Sequence, residues 1–185
     1  MRDKNTFTIF GGTGDLTFRK LLPALYNMEM TGSNPFDTQI VIIGRRDYTS
    51  TAYRELARDW VEKFARLHFR EDVYQRMAER IVYYRMDFTK EEAYGELNDF
   101  YHEINAGNHI FYFAVAPRFF PVIVQGLKKV EDAQGGKVVL EKPFGESLEA
   151  AAALNEKMEA FFSPDHIYRI DHYLGKEMVR NIQTI

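Results

Sequence analysis

The sequence predicts an α/β protein with a doubly wound parallel sheet, and three observations support this fold class. Short apolar runs alternate with longer amphipathic stretches along the chain. Several of the short runs are apolar throughout, which is typical of strands covered on both faces. A glycine-rich turn joins the first apolar run to the first amphipathic stretch. Because alternating strands and helices form right-handed parallel crossovers, they specify an open sheet with helices on both sides.

The apolar runs predict six strands, at residues 6–10, 39–44, 81–84, 109–115, 137–141 and 166–169. The amphipathic stretches predict helices that begin at about residues 15, 50, 71, 90, 117 and 148. Pro23 must bend the first helix or lie near its start, because proline has no amide hydrogen to donate. The second helix should extend to Phe69, with Trp60, Phe64 and Leu67 on its apolar side.

Composition excludes several classes of protein. The chain has 185 residues, of which 45% are apolar and 28% charged, as expected of one globular domain. Its net charge of −3 argues against a nucleic-acid partner, which would favour a basic excess. Cysteine is absent, so disulfides and thiolate metal sites are excluded. No apolar run is long enough for a membrane span, so we expect a cytoplasmic protein without membrane partners.

The turn after the first strand is the first candidate site. Glycines in a strand-to-helix turn let phosphates approach the backbone, and helix N-terminal amides can then hold a pyrophosphate. The pattern approximates a dinucleotide fingerprint whose third glycine is replaced by Thr17, which predicts a Rossmann-type sheet. A glycine-rich turn without a ligand is the simpler alternative. The candidate cofactor-binding residues here are Gly11, Gly12, Thr13, Gly14, Asp15 and Leu16.

Arg45 and Arg46 follow the second strand, where an enzyme that uses NAD usually has an acidic residue. Guanidinium groups can bind a 2'-phosphate bidentately, so the pair predicts NADP rather than NAD. The pattern does not decide between the two arginines, and both could be ordinary surface residues. Met86 and Asp87, after the third strand, are possible contacts on the adenine side, although Asp87 also fits a helix-capping role.

Lys142 lies in the sequence Glu141-Lys142-Pro143 at the end of the fifth strand. Open α/β sheets bind their ligands at that edge, so Lys142 could reach both nicotinamide and substrate. Pro143 restricts the backbone of Lys142 to extended geometry. A solvated lysine in a turn is the alternative.

The segment after the sixth strand contains several polar and ionisable side chains within six positions. His172 and Lys176 are four residues apart, so one helical turn would bring both to a phosphate monoester. Tyr173 lies between them, and Asp171 could orient a base or itself accept a proton. A capping aspartate and a partly buried histidine are the alternative.

Other catalytic patterns are missing. The histidines are scattered without metal-ligand spacing, so we predict no metal. No tyrosine has a lysine four residues later, as a short-chain dehydrogenase would require. Phe119 and Phe120 fit a core and helix-face role better than a base-stacking platform, because they lie in an apolar periodic segment.

Three motifs together resemble the glucose-6-phosphate dehydrogenase family. They are the glycine turn continued through residues 15–21, the Glu-Lys-Pro segment at 141–145, and residues 169–177. The resemblance implies oxidation of glucose 6-phosphate at C1 by NADP, giving 6-phosphogluconolactone in the pentose phosphate pathway. It implies that Lys142 contacts cofactor and sugar, and that His172, Tyr173 and Lys176 bind the substrate phosphate. Asp171 would pair with a catalytic histidine of a second domain.

In family members the second domain makes up the larger part of the polypeptide. We therefore expect residues 1–185 to be an isolated dinucleotide-binding domain, cut off before the family's architecture is complete. None of the five histidines matches the family's catalytic one, so we expect no turnover from this chain alone. The full-length protein is expected to be a homo-oligomer. Alternatives are another NADP-linked sugar dehydrogenase with a Glu-Lys-Pro motif, and a non-catalytic dinucleotide-binding module.

Overall fold

The computed structural model describes residues 5–33, 38–142, 144 and 148–170. In this part of the chain, six parallel strands form one sheet in the order β3-β2-β1-β4-β5-β6, which confirms the doubly wound α/β fold. The strands are β1 (Asn5–Phe10), β2 (Gln39–Gly44), β3 (Ile81–Arg85), β4 (Gly107–Phe113), β5 (Lys137–Glu141) and β6 (Ile167–Ile170). All six overlap the strands predicted from the apolar runs.

The helices between the strands are α1 (Leu22–Met30), α2 (Ser50–Phe64), α3 (Glu71–Ala78), α4 (Ala93–Glu103), α5 (Phe120–Leu127) and α6 (Leu148–Glu159). The prediction that the second helix reaches Phe69 was wrong, because the backbone becomes extended at Ala65. Leu67 therefore leaves the apolar side of the helix and is 39% exposed. None of the helices in the described ranges is long and apolar enough to cross a membrane.

The first helix starts with a widened turn. Residues Thr17–Leu21 are π-helical, and α1 follows without a break. Pro23 lies in the first turn of α1, one of the two positions that the sequence allowed. The fifth helix is also preceded by a different turn, since Pro117–Phe119 is a 3-10 helix.

The sheet has one core on each face. Alternate side chains of β2 divide between them: Ile40 and Ile42 pack against α1, α2 and α3, whereas Val41 and Ile43 pack against α4 and α5. We call the first the Tyr-rich face, after its buried Tyr26, Tyr53, Tyr74, Tyr83 and Tyr112. We call the second the Phe-rich face, after its buried Phe10, Phe88, Phe111, Phe113, Phe120, Phe161 and Phe162.

The register brings three strand ends to one level. Phe10, the last residue of β1, pairs with Ile43 of β2 on one side and with Phe113 of β4 on the other. Strands β2 and β3 lie on one side of β1, and β5 and β6 lie on the far side of β4, so the strand order reverses between β1 and β4. Open α/β sheets bind ligands at such a reversal, outside the carboxyl ends of the strands.

Candidate functional site

A crevice of about 290 Å³ opens at the carboxyl ends of β1 and β4. The turn after β1 lines it with Gly11, Thr13 and Gly14, and the loop after β2 lines it with Gly44 and Arg45. Four of the residues that the sequence proposed for cofactor binding therefore meet in one concavity. They come from separate segments that the parallel sheet brings together.

The turn needs glycine for steric reasons. Gly11 has φ +90°, a conformation that residues with side chains rarely adopt, and a Cβ there would lie 2.4 Å from the carbonyl oxygen of Ala114. At Gly12 a Cβ would lie 2.1 Å from Cγ2 of Ile42. The amide of Gly12 donates to the carbonyl of Ile43 at 2.8 Å, which fixes the turn against β2. Glycine at these two positions therefore lets the turn pack tightly against β2 and the segment after β4.

The helix that follows presents its N-terminus to this turn. Its first amides have no acceptor within the helix, and their partial positive charge favours an anion. Thr17 is buried, and its hydroxyl donates to the carbonyl of Gly11 at 3.0 Å, joining turn and helix. Asp15 is exposed and forms an ion pair with Arg19 at 2.9 Å, and Leu16 packs against the core of the Tyr-rich face.

The two arginines after β2 differ in position. Both are exposed, but Arg45 lines the crevice, whereas Arg46 lies outside its lining. The carbonyl of Arg46 accepts hydrogen bonds from the Tyr83 hydroxyl at 2.8 Å and the Tyr48 amide at 3.1 Å. The backbone of this loop is therefore fixed while the Arg45 side chain faces the open space.

Met86 and Asp87 occupy different environments. Met86 is only 6% exposed and belongs to the core of the Phe-rich face, so its side chain does not line the crevice. The Asp87 carboxylate accepts hydrogen bonds from the Thr89 hydroxyl at 2.6 Å and the Thr89 amide at 3.1 Å. These bonds, helped by the positive charge of Arg45, hold the pKa of Asp87 below its usual value. Asp87 shapes the crevice rim through Thr89.

Lys142 is exposed just beyond β5 and does not line the crevice. Its amide donates to the carbonyl of Ile170 at 3.2 Å, which extends the pairing of β5 with β6. The preceding Glu141 accepts a hydrogen bond from the buried hydroxyl of Tyr112, and burial together with the nearby carboxylate raises the pKa of this tyrosine. The end of β5 is thus held from both neighbouring strands.

Asp171, His172, Tyr173 and Lys176 lie outside the described residues. The bond from Lys142 to Ile170 brings the backbone of Lys142 beside the residue that immediately precedes Asp171. Pairing of β5 with β6 therefore brings Lys142 beside the last described residue before the other segment proposed for substrate binding.

The sequence reasoning missed one wall of the crevice. Ala114, Val115 and Ala116 follow β4 and line it, as does Phe119. Phe119 also packs against the Phe-rich core, as predicted, while Phe120 is buried in that core. These residues could be found from their position, because they follow the strand that neighbours β1 on the side opposite β2. Using it requires the strand order, which the sequence pattern alone does not give.

The described part of the chain contains no group of three or more His, Cys, Asp or Glu residues that could hold a metal ion. The polar chemistry of the crevice is instead backbone amide and guanidinium. Those groups are hydrogen-bond donors with positive or partial positive charge, which suits phosphate oxygens.

Comparisons with known proteins agree with this geometry. A family model described as "Glucose-6-phosphate dehydrogenase, NAD binding domain" matches residues 8–181. A glucose-6-phosphate 1-dehydrogenase 2 of Mycobacterium tuberculosis is 35% identical over 96% of this chain and 36% of its own length. The chain thus spans about a third of that relative.

Two solved structures are also similar. Glucose-6-phosphate 1-dehydrogenase from Mycobacterium avium superposes with a TM-score of 0.83 at 31% identity, covering 95% of this chain and 37% of the other. A glucose-6-phosphate dehydrogenase in complex with its substrate glucose 6-phosphate gives a TM-score of 0.79 at 31% identity, covering 97% and 39%.

Proposed function

The chain belongs to the glucose-6-phosphate dehydrogenase family, and from that premise we propose that residues 1–185 are the dinucleotide-binding domain of an NADP-dependent enzyme that oxidises glucose 6-phosphate. The observation that carries the proposal is the crevice between β1 and β4. It combines a bare glycine turn, a helix N-terminus and the exposed Arg45. These groups match the pyrophosphate and the 2'-phosphate of one dinucleotide.

The residues present fit that cofactor. A Cβ at Gly11 or Gly12 would collide with neighbouring atoms, so glycine lets the turn pack close against the strand ends. When bound, the dinucleotide supplies the acceptor for the hydride that leaves C1 of the sugar. The protein's part is to hold it. The amides of Thr13, Asp15 and Leu16 would bind the pyrophosphate, since that of Gly14 already donates to the carbonyl of Gly11. Arg45 rather than Arg46 would bind the 2'-phosphate, because Arg45 lines the crevice.

The substrate would bind beside this crevice, at the ends of β5 and β6. Lys142 is exposed there, and its ammonium would donate to the sugar and orient it toward the nicotinamide. His172, Tyr173 and Lys176 would bind the sugar phosphate, and Asp171 would orient a histidine base outside this chain. The homo-oligomer, the cytoplasmic location and the place in the pentose phosphate pathway remain predictions.

The cofactor assignment is tested by replacing each arginine in the complete polypeptide. Arg45→Ala should weaken NADP binding by about 10- to 100-fold, the loss expected for a charge-assisted contact, and should change NAD binding much less. Arg46→Ala removes the same charge one residue away and is the matched control. Calorimetric titration with both dinucleotides measures the effect. A larger loss of NADP affinity in Arg46→Ala would reverse the assignment.

The reaction is tested by following NADP reduction by the complete polypeptide. Glucose 6-phosphate should support turnover and unphosphorylated glucose should support far less, since the phosphate contacts would be lost. Lys142→Ala should lower kcat/KM by about 100-fold or more. Lys128→Ala is the control, because Lys128 is exposed at the carboxyl end of α5, at the opposite edge of the sheet. Equal rates with both sugars would contradict the proposed substrate.

A further inference from the structure

Two buried tyrosines lie beneath the loops assigned to the cofactor. Tyr53 of α2 is fully buried, and its hydroxyl donates to the carbonyl of Gly12 at 2.5 Å. Tyr83 of β3 is 7% exposed, and its hydroxyl donates to the carbonyl of Arg46 at 2.8 Å. One hydroxyl therefore fixes the glycine turn and the other fixes the arginine loop.

The two tyrosines also contact each other. Their rings stack with centroids 5.0 Å apart and an interplanar angle of 22°. Tyr48 packs edge-on against both, at 6.4 Å from the Tyr53 ring and 5.7 Å from the Tyr83 ring. The three rings form one packed unit, so a displacement of one loop anchor is transmitted to the other.

Gly44 shows that the loops themselves are in close contact. A Cβ at this position would lie 2.6 Å from the Tyr83 hydroxyl oxygen and 3.0 Å from Cγ2 of Thr13. Thr13 belongs to the glycine turn and lines the crevice. The turn, Gly44 and the Tyr83 hydroxyl are therefore packed without room for an extra methyl group.

Both hydroxyls remain donors near neutral pH. Burial raises the pKa of Tyr53 well above its ordinary value, and it raises the pKa of Tyr83 as well. Ionisation would cost each tyrosine its proton and place a negative charge against a carbonyl oxygen. The anchors thus do not depend on pH in the range where the protein would work.

We propose that Tyr53 and Tyr83 are positioning residues that set the placement of the arginine loop relative to the glycine turn, and through it the preference for NADP over NAD. The inference rests on the proposed function of these loops. Tyr83 fixes the carbonyl of Arg46, the residue next to Arg45, so loss of its hydroxyl acts mainly on the 2'-phosphate. Tyr53 fixes the turn that would bind the pyrophosphate, which both dinucleotides share. Anchoring a loop before binding reduces the ordering cost that binding must overcome.

The test uses variants of the complete polypeptide that lose only a hydroxyl. Tyr83→Phe should weaken NADP binding by about 2- to 10-fold and NAD binding by less than about 2-fold, which lowers the NADP preference. Tyr53→Phe should weaken both by about the same factor. Tyr74→Phe is the matched control: its buried hydroxyl also donates to a backbone carbonyl on the same face, but that of Arg54 in α2 rather than of either loop.

Calorimetric titration with NADP and NAD gives the two dissociation constants, and thermal unfolding checks that the variants are folded. An unchanged ratio of NADP to NAD affinity in Tyr83→Phe would overturn the inference, as would an equal change of that ratio in Tyr74→Phe. If the unmodified polypeptide fails to bind NADP, the proposed function fails and the inference falls with it. If the unmodified polypeptide binds NADP and only the ratio stays constant, the inference alone fails.

Discussion

The two faces of the sheet use aromatic residues differently. On the Tyr-rich face, the hydroxyls of Tyr26, Tyr53, Tyr74 and Tyr83 each donate to a backbone carbonyl distant in sequence. On the Phe-rich face most rings carry no polar group and pack against other apolar side chains, such as Phe10 and Phe113, whose ring centroids lie 5.5 Å apart. A phenylalanine contributes buried area, whereas a buried tyrosine also holds a particular carbonyl in place.

Two tyrosines are buried on the Phe-rich face, and the hydroxyl of each forms a hydrogen bond. Tyr101 bonds with the Thr8 hydroxyl of β1 at 2.8 Å. Tyr94 is fully buried there, and its hydroxyl donates to the carbonyl of Phe88 at 2.9 Å. Phe88 lines the crevice. Three loops at the crevice are thus each anchored by one buried hydroxyl. The difference between the faces teaches that the tyrosines fix loop positions while the phenylalanines mainly supply stability.

The largest effect expected from this comparison is on stability. Phe111→Ala removes a fully buried ring that packs against Phe10, His109 and Phe162, and it should lower the free energy of unfolding by about 3–5 kcal/mol. Hydrogen exchange of the β4 amides measures the loss. NADP affinity of the folded protein should stay nearly constant, because Phe111 does not reach the crevice.

Tyr83→Phe serves as the counterpart to this substitution. It should reduce the same free energy by no more than about 1.5 kcal/mol while it lowers the NADP preference. A Phe111→Ala protein with unchanged exchange rates but weakened NADP binding would break the proposed division between the faces.

The smallest effect concerns His109 on the Phe-rich face. Its side chain is 5% exposed, and Nδ1 has no hydrogen-bond partner among the described residues. Burial lowers the pKa of His109 in the folded state, despite the opposing effect of Asp132. The unfolded chain therefore binds the proton more readily. Stability from the neutral histidine is present above the unfolded pKa of about 6.5 and is lost as the pH falls, by at most about 1.4 kcal/mol per pH unit.

His109→Phe should remove this dependence while it keeps the stacking on Phe111. Urea midpoints of the original and substituted proteins, compared between about pH 7.5 and about pH 5.5, measure the difference. Parallel pH curves for the two proteins would show that His109 stays accessible to protons in the folded state.

Local patterns account for most of what the sequence predicted correctly. The positions of the strands follow from runs such as residues 40–43, whose side chains are apolar because both faces of β2 are covered. The glycine turn was recognisable because its glycines stand together in the sequence directly after an apolar run, and Gly11 does adopt a positive φ. The predicted extent of α2 was wrong because apolar residues, Leu67 and Phe69 among them, continue after the helix has ended.

The sequence by itself determined the alternation of strands and helices, the glycine turn and the residues at each strand end, because these depend on neighbours along the chain. Only the tertiary structure decided that β4 lies beside β1, and so that Val115 and Phe119 form a wall of the crevice. It also decided that Arg45 rather than Arg46 faces that space and that Tyr53 reaches Gly12. Such contacts depend on strand order and helix packing, which join residues tens of positions apart that no local period relates.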